Sequence, residues 1–204
     1  MGDILLILGG ARSGKSDFAA TLAGEMAGDR VLFVATAEAL DEEMTARIEA
    51  HRRARPAAWG LLEAPRDTAA AIRETCADRA GEYDVVLVDC LTLLVTGAML
   101  GEASHDNPAI EPAIDPHAAE EVDRQVTALL ETCGDLDATS IIVTNEVGSG
   151  IVPDNALARA FRDRLGSANA RVARAAKKAY LLVAGIAVDL KELSRAGGNA
   201  NIAD

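Results

Sequence analysis

Residues 4–16 read Ile4-Leu5-Leu6-Ile7-Leu8-Gly9-Gly10-Ala11-Arg12-Ser13-Gly14-Lys15-Ser16, an apolar run that leads directly into a glycine-rich segment. The second part has the spacing G-x-x-x-x-G-K-S, which is typical of a phosphate-binding loop between a buried strand and a helix. Its glycines allow successive backbone N–H groups to point at phosphate oxygens, and the helix that follows adds its positive N-terminal end. We therefore predict that this loop binds a nucleoside triphosphate.

Two side chains of the loop and one acid further along the chain have the chemistry of a magnesium–triphosphate site. Lys15 supplies a positive charge for the β and γ phosphates, and the Ser16 hydroxyl is suited to hold Mg²⁺. Asp89 ends the aliphatic run 85–88, which places a carboxylate at the ligand-binding edge of an α/β sheet. Asp89 could instead cap the next turn. Its combination with the loop favours a metal role for Ser16 and Asp89.

Short aliphatic runs alternate with longer helical patterns, which is typical of a mostly parallel sheet flanked by helices on both faces. We predict an α/β fold of the P-loop NTPase class, with one domain over residues 1–195 and a flexible tail over 196–204. The predicted strands are Ile4–Leu8, Val31–Thr36, Val85–Asp89, Ile141–Thr144 and Ala179–Ala184, with Ile186–Leu190 as a hairpin partner across Gly185. The predicted helices are Lys15–Ala27, Asp41–Arg53, Asp67–Arg79, Ala118–Cys133 and Asp154–Lys177.

One segment interrupts this alternation. Gly101–Pro116 contains Pro108, Pro112 and Pro116, and proline removes a helical hydrogen bond and clashes with the preceding turn. We therefore predict a surface loop over these residues.

The composition limits the class of protein and its partners. The chain has 204 residues, 50% of them hydrophobic, and a formal net charge of −12. The negative charge argues against nucleic acid as a partner, because a phosphate backbone would be repelled. Cys76, Cys90 and Cys133 lack C-x-x-C spacing, so they indicate reduced thiols rather than a zinc site or a disulfide framework. No signal peptide and no run of transmembrane length is recognisable, so we expect a cytoplasmic protein.

His51 is the candidate nucleophile. It shares a helical face with Met44 and Ile48, so its spacing alone favours a half-buried histidine that extends an apolar stripe. Cations nearby argue for chemistry, because they disfavour the imidazolium and keep the ring neutral, the form that can attack phosphorus. They would also hold an incoming polyphosphate. These cations are Arg47, Arg52, Arg53 and Arg55.

Taken together, several motifs resemble the bifunctional adenosylcobinamide kinase/adenosylcobinamide-phosphate guanylyltransferase family of cobalamin biosynthesis. The resemblance extends from the first strand to about Lys191, and its combination of motifs is far more specific than the phosphate loop alone. The motifs are the loop 9–16, Val34-Ala35-Thr36, the stretch from Asp41-Glu42-Glu43-Met44 through Ala46-Arg47-Ile48 to His51, Arg55-Pro56 with Trp59, Val143-Thr144-Asn145-Glu146-Val147-Gly148, and Gly150-Ile151-Val152-Pro153.

The resemblance implies two reactions. In the first, a nucleoside triphosphate, GTP or ATP, gives its γ-phosphoryl group to the aminopropanol hydroxyl of adenosylcobinamide. In the second, GTP forms a GMP–histidine intermediate with loss of pyrophosphate, and adenosylcobinamide phosphate accepts the GMP to give adenosylcobinamide-GDP. By motif position, His51 would carry the GMP.

The resemblance also assigns the nucleotide contacts and an assembly. It implies a homotrimer with a RecA-like core. Asn145 and Glu146 follow a strand at the ligand edge and could orient the substrate hydroxyl, or could form only a polar turn. The implied nucleotide contacts are Gly9, Gly10, Ala11, Arg12, Ser13, Gly14, Lys15, Ser16, Thr36, Ala37, Glu38, Arg52, Arg53, Ala54, Arg55, Glu63 and Asp89, of which Glu63 rests on the resemblance alone.

Two other functions are compatible with the phosphate loop. One is a small-molecule kinase without guanylyltransferase activity, and the other is a regulatory module in which the bound nucleotide matters rather than turnover. The three hypotheses differ at His51, because only the bifunctional enzyme requires a covalent nucleotide on that residue.

Overall fold

The computed structural model describes residues 2–37, 55–106 and 117–197. The strands and helices in these ranges largely alternate along the chain, as the sequence pattern predicts. They are β1 (Ile4–Gly9), α1 (Lys15–Ala27), β2 (Val31–Ala35), β3 (Gly60–Glu63), α2 (Thr68–Asp78), β4 (Val85–Asp89), α3 (Leu91–Asp106), α4 (Ala118–Asp135), β5 (Thr139–Asn145), α5 (Ala156–Ala175), β6 (Lys178–Val183), β7 (Ile186–Asp189) and α6 (Leu190–Ala196).

The strands form one sheet in the order β3-β2-β4-β5-β1-β6-β7. All neighbouring pairs are parallel except β6 and β7, which form the predicted antiparallel hairpin. Gly9 at the end of β1 is paired with Asn145 of β5 and Leu182 of β6. Ala35 at the end of β2 is paired with Glu63 of β3 and Asp89 of β4. The carboxyl ends of these strands therefore meet at one edge of the sheet.

Both faces of the sheet are covered, so the central strands are buried on both sides. Along β1, Leu6 packs into one core cluster and Leu5 and Ile7 into the other. Helix α1 covers one face with small residues, while α2 to α5 cover the opposite face. The buried helical residues on these faces include Ala19 and Ala23 of α1, and Ile72, Val95, Leu129 and Leu165 of α2, α3, α4 and α5 respectively. The predicted α/β architecture, with helices on both faces, is confirmed.

Three elements were not predicted. Strand β3 is a short edge strand in which only alternate residues are half-buried, so it lacks the continuous apolar run of a central strand. Helix α3 follows β4 after one residue and is apolar around most of its circumference, which hides the helical period. Helix α6 has seven residues and none of them is buried.

The predicted loop at Gly101–Pro116 is wrong at its start, because α3 continues to Asp106. The physical reason is that the first proline of the segment is Pro108, and helices usually end at or before the residue that precedes a proline, so the chain up to Asp106 can be helical. Residues 107–116, the predicted helix Asp41–Arg53 and most of the predicted tail lie outside the described residues. Ala196, the first residue of that tail, ends α6.

Among the helices of the described ranges, none combines the length and apolar character that a bilayer crossing demands.

The core of the α2–α5 face can be tested with a pair of leucines. Leu129 of α4 is 0% exposed, whereas Leu193 of α6 is 59% exposed. We expect Leu129→Ala to lower the free energy of unfolding by about 3 kcal/mol, because a buried cavity is left behind. Leu193→Ala should change it by less than about 0.5 kcal/mol. Urea unfolding measures both values, and equal effects would contradict the described packing.

Candidate nucleotide site at the carboxyl edge of the sheet

The segment 9–16 folds into a tight loop between β1 and α1. Arg12 and Gly14 both have positive φ, 56° and 88°, and the left-handed conformation of Gly14 is one that glycine adopts without strain. Ser13 N–H donates to Gly10 O at 3.3 Å, and Phe18 N–H donates to Gly14 O at 2.9 Å as α1 begins. This backbone geometry, with a helix N-terminus at its end, is suited to an anionic ligand.

The neighbouring strands hold the loop on both sides. Glu146 N–H, just beyond β5, donates to Gly9 O at 3.0 Å, and Gly185 N–H, in the β6–β7 turn, donates to Ser13 O at 3.0 Å. A Cβ added at Gly9 would lie 2.6 Å from Leu182 O and 2.6 Å from Ser13 Oγ. Because the Leu182 carbonyl belongs to the backbone of the sheet and Ser13 is buried, neither can move away at low cost, so close packing requires glycine at position 9.

Lys15 and Asp89 both lie near the thiol of Cys90. Lys15 is 9% exposed, and its Nζ donates to Gly10 O at 3.3 Å, so its ammonium lies against the loop. The pKa of Cys90 is raised to about 11, mainly by burial and also by the negative charge of Asp89, while the Lys15 ammonium acts in the opposite direction. Both predicted charges are therefore close to Cys90, at the start of α3.

The predicted magnesium ligands fit a site that the ligand's phosphates complete. Ser16 is half-buried in the first turn of α1, and Asp89 is half-buried at the end of β4. Within residues 2–37, 55–106 and 117–197, no three His, Cys, Asp or Glu side chains cluster as a metal site would require. Mg²⁺ at nucleotide sites usually retains waters and takes one or two protein ligands together with phosphate oxygens, which this donor set matches.

Thr36 has a structural role at this edge. Its hydroxyl donates to Cys90 O and accepts from Cys90 N–H, each at 2.7 Å, and its own N–H donates to Asp89 O at 3.2 Å. Thr36 is 2% exposed. These bonds tie the end of β2 to the turn that carries Asp89. A direct contact between Thr36 and a nucleotide remains a prediction.

Glu63 belongs to the same edge of the sheet. It is the last residue of β3 and is paired with Ala35 of β2. Its position could have been reached from sequence only by recognising β3, whose half-exposed pattern is weak. The sheet thus places Glu63, Ala35 and Asp89 on three adjacent strands.

The described chain resumes at Arg55 on the α1 face. The Arg55 guanidinium carbon lies 4.1 Å from the centroid of the Phe33 ring, a cation–π contact, and Trp59 Nε1 donates to Gly28 O at 3.0 Å. Ala37 is the last described residue after β2 and is half-buried. The predicted nucleophile His51 and the predicted contacts Glu38, Arg52, Arg53 and Ala54 lie outside the described residues.

A buried polar cluster beneath the end of β5 was missed by the sequence reasoning. It consists of Thr92 of α3, Thr144 of β5 and Asn169 of α5, which are 6%, 0% and 6% exposed. The sequence held one indication of this cluster: Asn169 is a polar residue on the otherwise apolar face of α5, between Leu165 and Val172. Its position next to Asn145 depends on tertiary packing, which the sequence pattern does not specify.

Comparison with known proteins identifies close relatives over most of the chain. Residues 5–190 match the model of a family described as cobinamide kinase / cobinamide phosphate guanyltransferase. The chain is 40% identical over 194 residues to the bifunctional adenosylcobalamin biosynthesis protein CobU of Salmonella typhimurium, a match covering 92% of this chain and 99% of that protein. It is 39% identical over 189 residues to the Escherichia coli protein of that name, again covering 92% and 99%.

Two further matches were found. The bifunctional adenosylcobalamin biosynthesis protein CobP of Pseudomonas aeruginosa is 41% identical over 186 residues, covering 91% of this chain and 96% of that protein. Among solved structures, an ATPase domain superposes with a TM-score of 0.49 at 16% identity, covering 88% of this chain and 68% of that chain.

Lys15 can be tested against another lysine near the sheet. We expect Lys15→Ala to reduce turnover with a nucleoside triphosphate at least about 100-fold, because a preorganised charge at the phosphates is lost. Lys177, which pairs with Asp3 at 2.6 Å at the opposite edge, provides the control. Steady-state kinetics of Lys15→Ala and Lys177→Ala measure the difference, and similar rates would exclude the loop as the triphosphate site.

Thr36 can be tested by removing its hydroxyl or only its methyl group. Thr36→Val leaves the Cys90 N–H without the hydroxyl that it bonds, and leaves the Cys90 C=O with only the longer 3.4 Å bond from Leu94 N–H, so we expect it to lower the free energy of unfolding by about 2 kcal/mol. Thr36→Ser keeps both hydrogen bonds and should cost only about 1 kcal/mol. Denaturant unfolding of the two variants distinguishes them. A more stable Val variant would show that the hydroxyl does not hold this turn.

Proposed function

Because the chain belongs to the cobinamide kinase / cobinamide phosphate guanyltransferase family, we propose that one polypeptide catalyses both the phosphorylation of cobinamide and the guanylyl transfer to cobinamide phosphate. The observation that carries this proposal is the site itself: a phosphate loop with Lys15 against it, and Asp89 at the end of a neighbouring strand. Family membership supplies the substrates, and the loop supplies the means to bind a triphosphate.

In the kinase step, the aminopropanol hydroxyl of adenosylcobinamide attacks the γ-phosphorus of GTP or ATP. A bond forms between the hydroxyl oxygen and phosphorus, the bond from phosphorus to the bridging β-phosphate oxygen breaks so that the nucleoside diphosphate leaves, and the hydroxyl proton passes to solvent. The loop N–H groups and Lys15 stabilise the negative charge on the phosphate oxygens, which is the main task of a protein in phosphoryl transfer. Ser16 and Asp89 would hold Mg²⁺, which neutralises further charge on the β and γ phosphates when bound.

In the guanylyltransferase step, the neutral imidazole of His51 attacks the α-phosphorus of GTP. A nitrogen–phosphorus bond forms, and pyrophosphate leaves. A phosphate oxygen of adenosylcobinamide phosphate then attacks the same phosphorus, so that GMP is transferred and His51 is released. Arg52, Arg53 and Arg55 would hold the polyphosphate and keep the ring neutral.

Support for this division of roles comes from the order of the strands. The phosphate loop follows β1. The segment with His51 connects β2 to β3, and these two strands are separated from β1 by β4 and β5 in the sheet. Residues at both ends of that segment are described, and Ala37 follows the strand whose last residue pairs with Asp89. The segment therefore begins close to Asp89 and at the edge where nucleotides bind in α/β sheets.

The proposal extends to assembly and cellular location. We propose a cytoplasmic homotrimer with nucleotide sites near the subunit boundaries, as the family resemblance implies. Edge strand β7 supports an assembly, because its Ile186 is 69% exposed and Val188 is 39% exposed. Apolar side chains on an unpaired edge strand favour contact with another chain.

Labelled GTP tests the nucleophile. We expect incubation with GTP labelled at the α-phosphorus to leave label on the wild-type protein that is labile in acid and stable in base, as a phosphoramidate is. The label should be absent from His51→Ala. The matched control is His117→Ala, whose side chain is 81% exposed next to Glu120, and it should retain the label. Label that persists in His51→Ala would assign the covalent step to another residue.

The same preparation separates the other two functions. Phosphorylation of cobinamide without covalent label on the wild-type protein would indicate a kinase alone. Binding of GTP without either product would indicate a regulatory module. Both outcomes would contradict the bifunctional proposal.

A further inference from the structure

Four residues form a closed ring of hydrogen bonds beneath the end of β5. Asn145 N–H donates to Thr92 Oγ1 at 2.8 Å, and Asn145 C=O accepts from Asn169 Nδ2 at 2.9 Å. Thr144 Oγ1 donates to Asn169 Oδ1 at 2.8 Å and lies 3.4 Å from Thr92 Oγ1. The three side chains come from α3, β5 and α5, so the ring joins three separate elements.

Counting protons gives the ring a single direction. The one hydroxyl proton of Thr144 goes to Asn169 Oδ1, so in the contact between the two hydroxyls Thr92 is the donor and Thr144 the acceptor. The carbonyl of Asn145 can only accept, so the NH₂ group of Asn169 must face it. The donors therefore follow one another in a single order: Asn145 N–H donates to Thr92, Thr92 to Thr144, Thr144 to Asn169, and Asn169 to the carbonyl of Asn145.

A closed and buried ring of this kind fixes geometry. Thr92, Thr144 and Asn169 are between 0% and 6% exposed, and a polar network that is fully satisfied in a low dielectric is rigid, whereas a partly satisfied one is costly. The ring holds both peptide groups of Asn145 through their backbone atoms. The side-chain amide of Asn145 takes no part in it.

The residues held by this ring lie beside the phosphate loop. Asn145 is paired with Gly9, and the next residue, Glu146, donates its N–H to Gly9 O at 3.0 Å. Glu146 Oε1 also accepts from Gly148 N–H at 2.5 Å, which fixes the turn after β5. Thr92, the ring residue from α3, comes three residues after Asp89 in the sequence. The ring therefore sets the position of Asn145 and Glu146 relative to both Gly9 and the turn that carries Asp89.

We propose that Asn169 is a positioning residue for the kinase reaction. It acts through the ring, which holds Asn145 and Glu146 in register with the phosphate loop so that their side chains orient the hydroxyl that accepts the phosphoryl group. This inference rests on the proposed kinase function. It assigns no contact between Asn169 itself and substrate, because Asn169 is buried beneath the strand.

Two variants in different elements test the ring. Asn169→Leu and Thr92→Val keep approximate volume and remove hydrogen bonds. We expect each to lower kcat for cobinamide phosphorylation at least about tenfold, because a small displacement of positioning groups is costly. The KM for the nucleotide should change less than about twofold, because the phosphate loop is unaltered. The double variant should be no slower than the slower single variant, since both break one ring.

Two further variants separate positioning from stability. Thr92→Ser keeps the hydroxyl and should recover most of the kcat that Thr92→Val loses. Val172→Ala lies one turn from Asn169 on α5 and is 0% exposed, so it should lower stability while leaving kcat and KM unchanged. If Asn169→Leu does not fold, the difference in kcat between Thr92→Val and Thr92→Ser decides whether the ring positions the reacting groups.

The outcomes distinguish this inference from the proposed function. A wild-type protein that cannot phosphorylate cobinamide would contradict the kinase function, and the positioning role with it. An active wild type with unchanged kcat in Thr92→Val and Asn169→Leu would overturn the positioning role alone. So would a loss of kcat in Val172→Ala equal to that in Asn169→Leu, or independent, multiplicative losses in the double variant.

Discussion

The packing of the phosphate loop against the ends of β5 and β6 is the constraint on which the rest of the site depends. Gly9 has room for no side chain between Leu182 O and Ser13 Oγ. Its carbonyl is occupied by Glu146 N–H, and Ser13 O is occupied by Gly185 N–H. Because backbone groups of both neighbouring strands hold the loop, its N–H groups are oriented before any ligand arrives, and a preorganised site loses little entropy on binding.

The same edge shows how buried polar groups can organise a site without touching substrate. The Thr36 hydroxyl satisfies both peptide groups of Cys90, and the ring through Asn169 satisfies both peptide groups of Asn145. Each lies at the end of a strand, where the ladder of the sheet stops and backbone groups lose their partners on the neighbouring strands. Side chains from elsewhere in the chain therefore complete the hydrogen bonding and fix the turns that carry Asp89 and Glu146.

Much of the fold was predictable because its signals are local. The apolar runs of β1, β2, β4 and β5 are continuous, as buried parallel strands require, and the loop motif places the ligand edge. Strand β3 and helix α3 were missed because one is half-exposed and the other is apolar on nearly all sides, so neither has a clear period. For the site, Lys15 could be predicted from the loop motif and Asp89 from its position at the end of a strand. Asn169 could not, because its partners are 25 and 24 residues away in sequence.

The order of the strands in the sheet also governs when the site can form during synthesis. Strands β2, β3 and β4 neighbour one another and can pair once the first half of the chain exists, but β1 pairs only with β5 and β6 in the described sheet. The strand that begins the chain must therefore wait for residues 139–183 before it is enclosed. Such non-local pairing slows folding and leaves apolar segments exposed meanwhile. A ribosome-bound chain that has not yet emerged past β6 has the phosphate-loop sequence but lacks the strands that give the loop its shape, so nucleotide recognition must wait until β5 and β6 have been made.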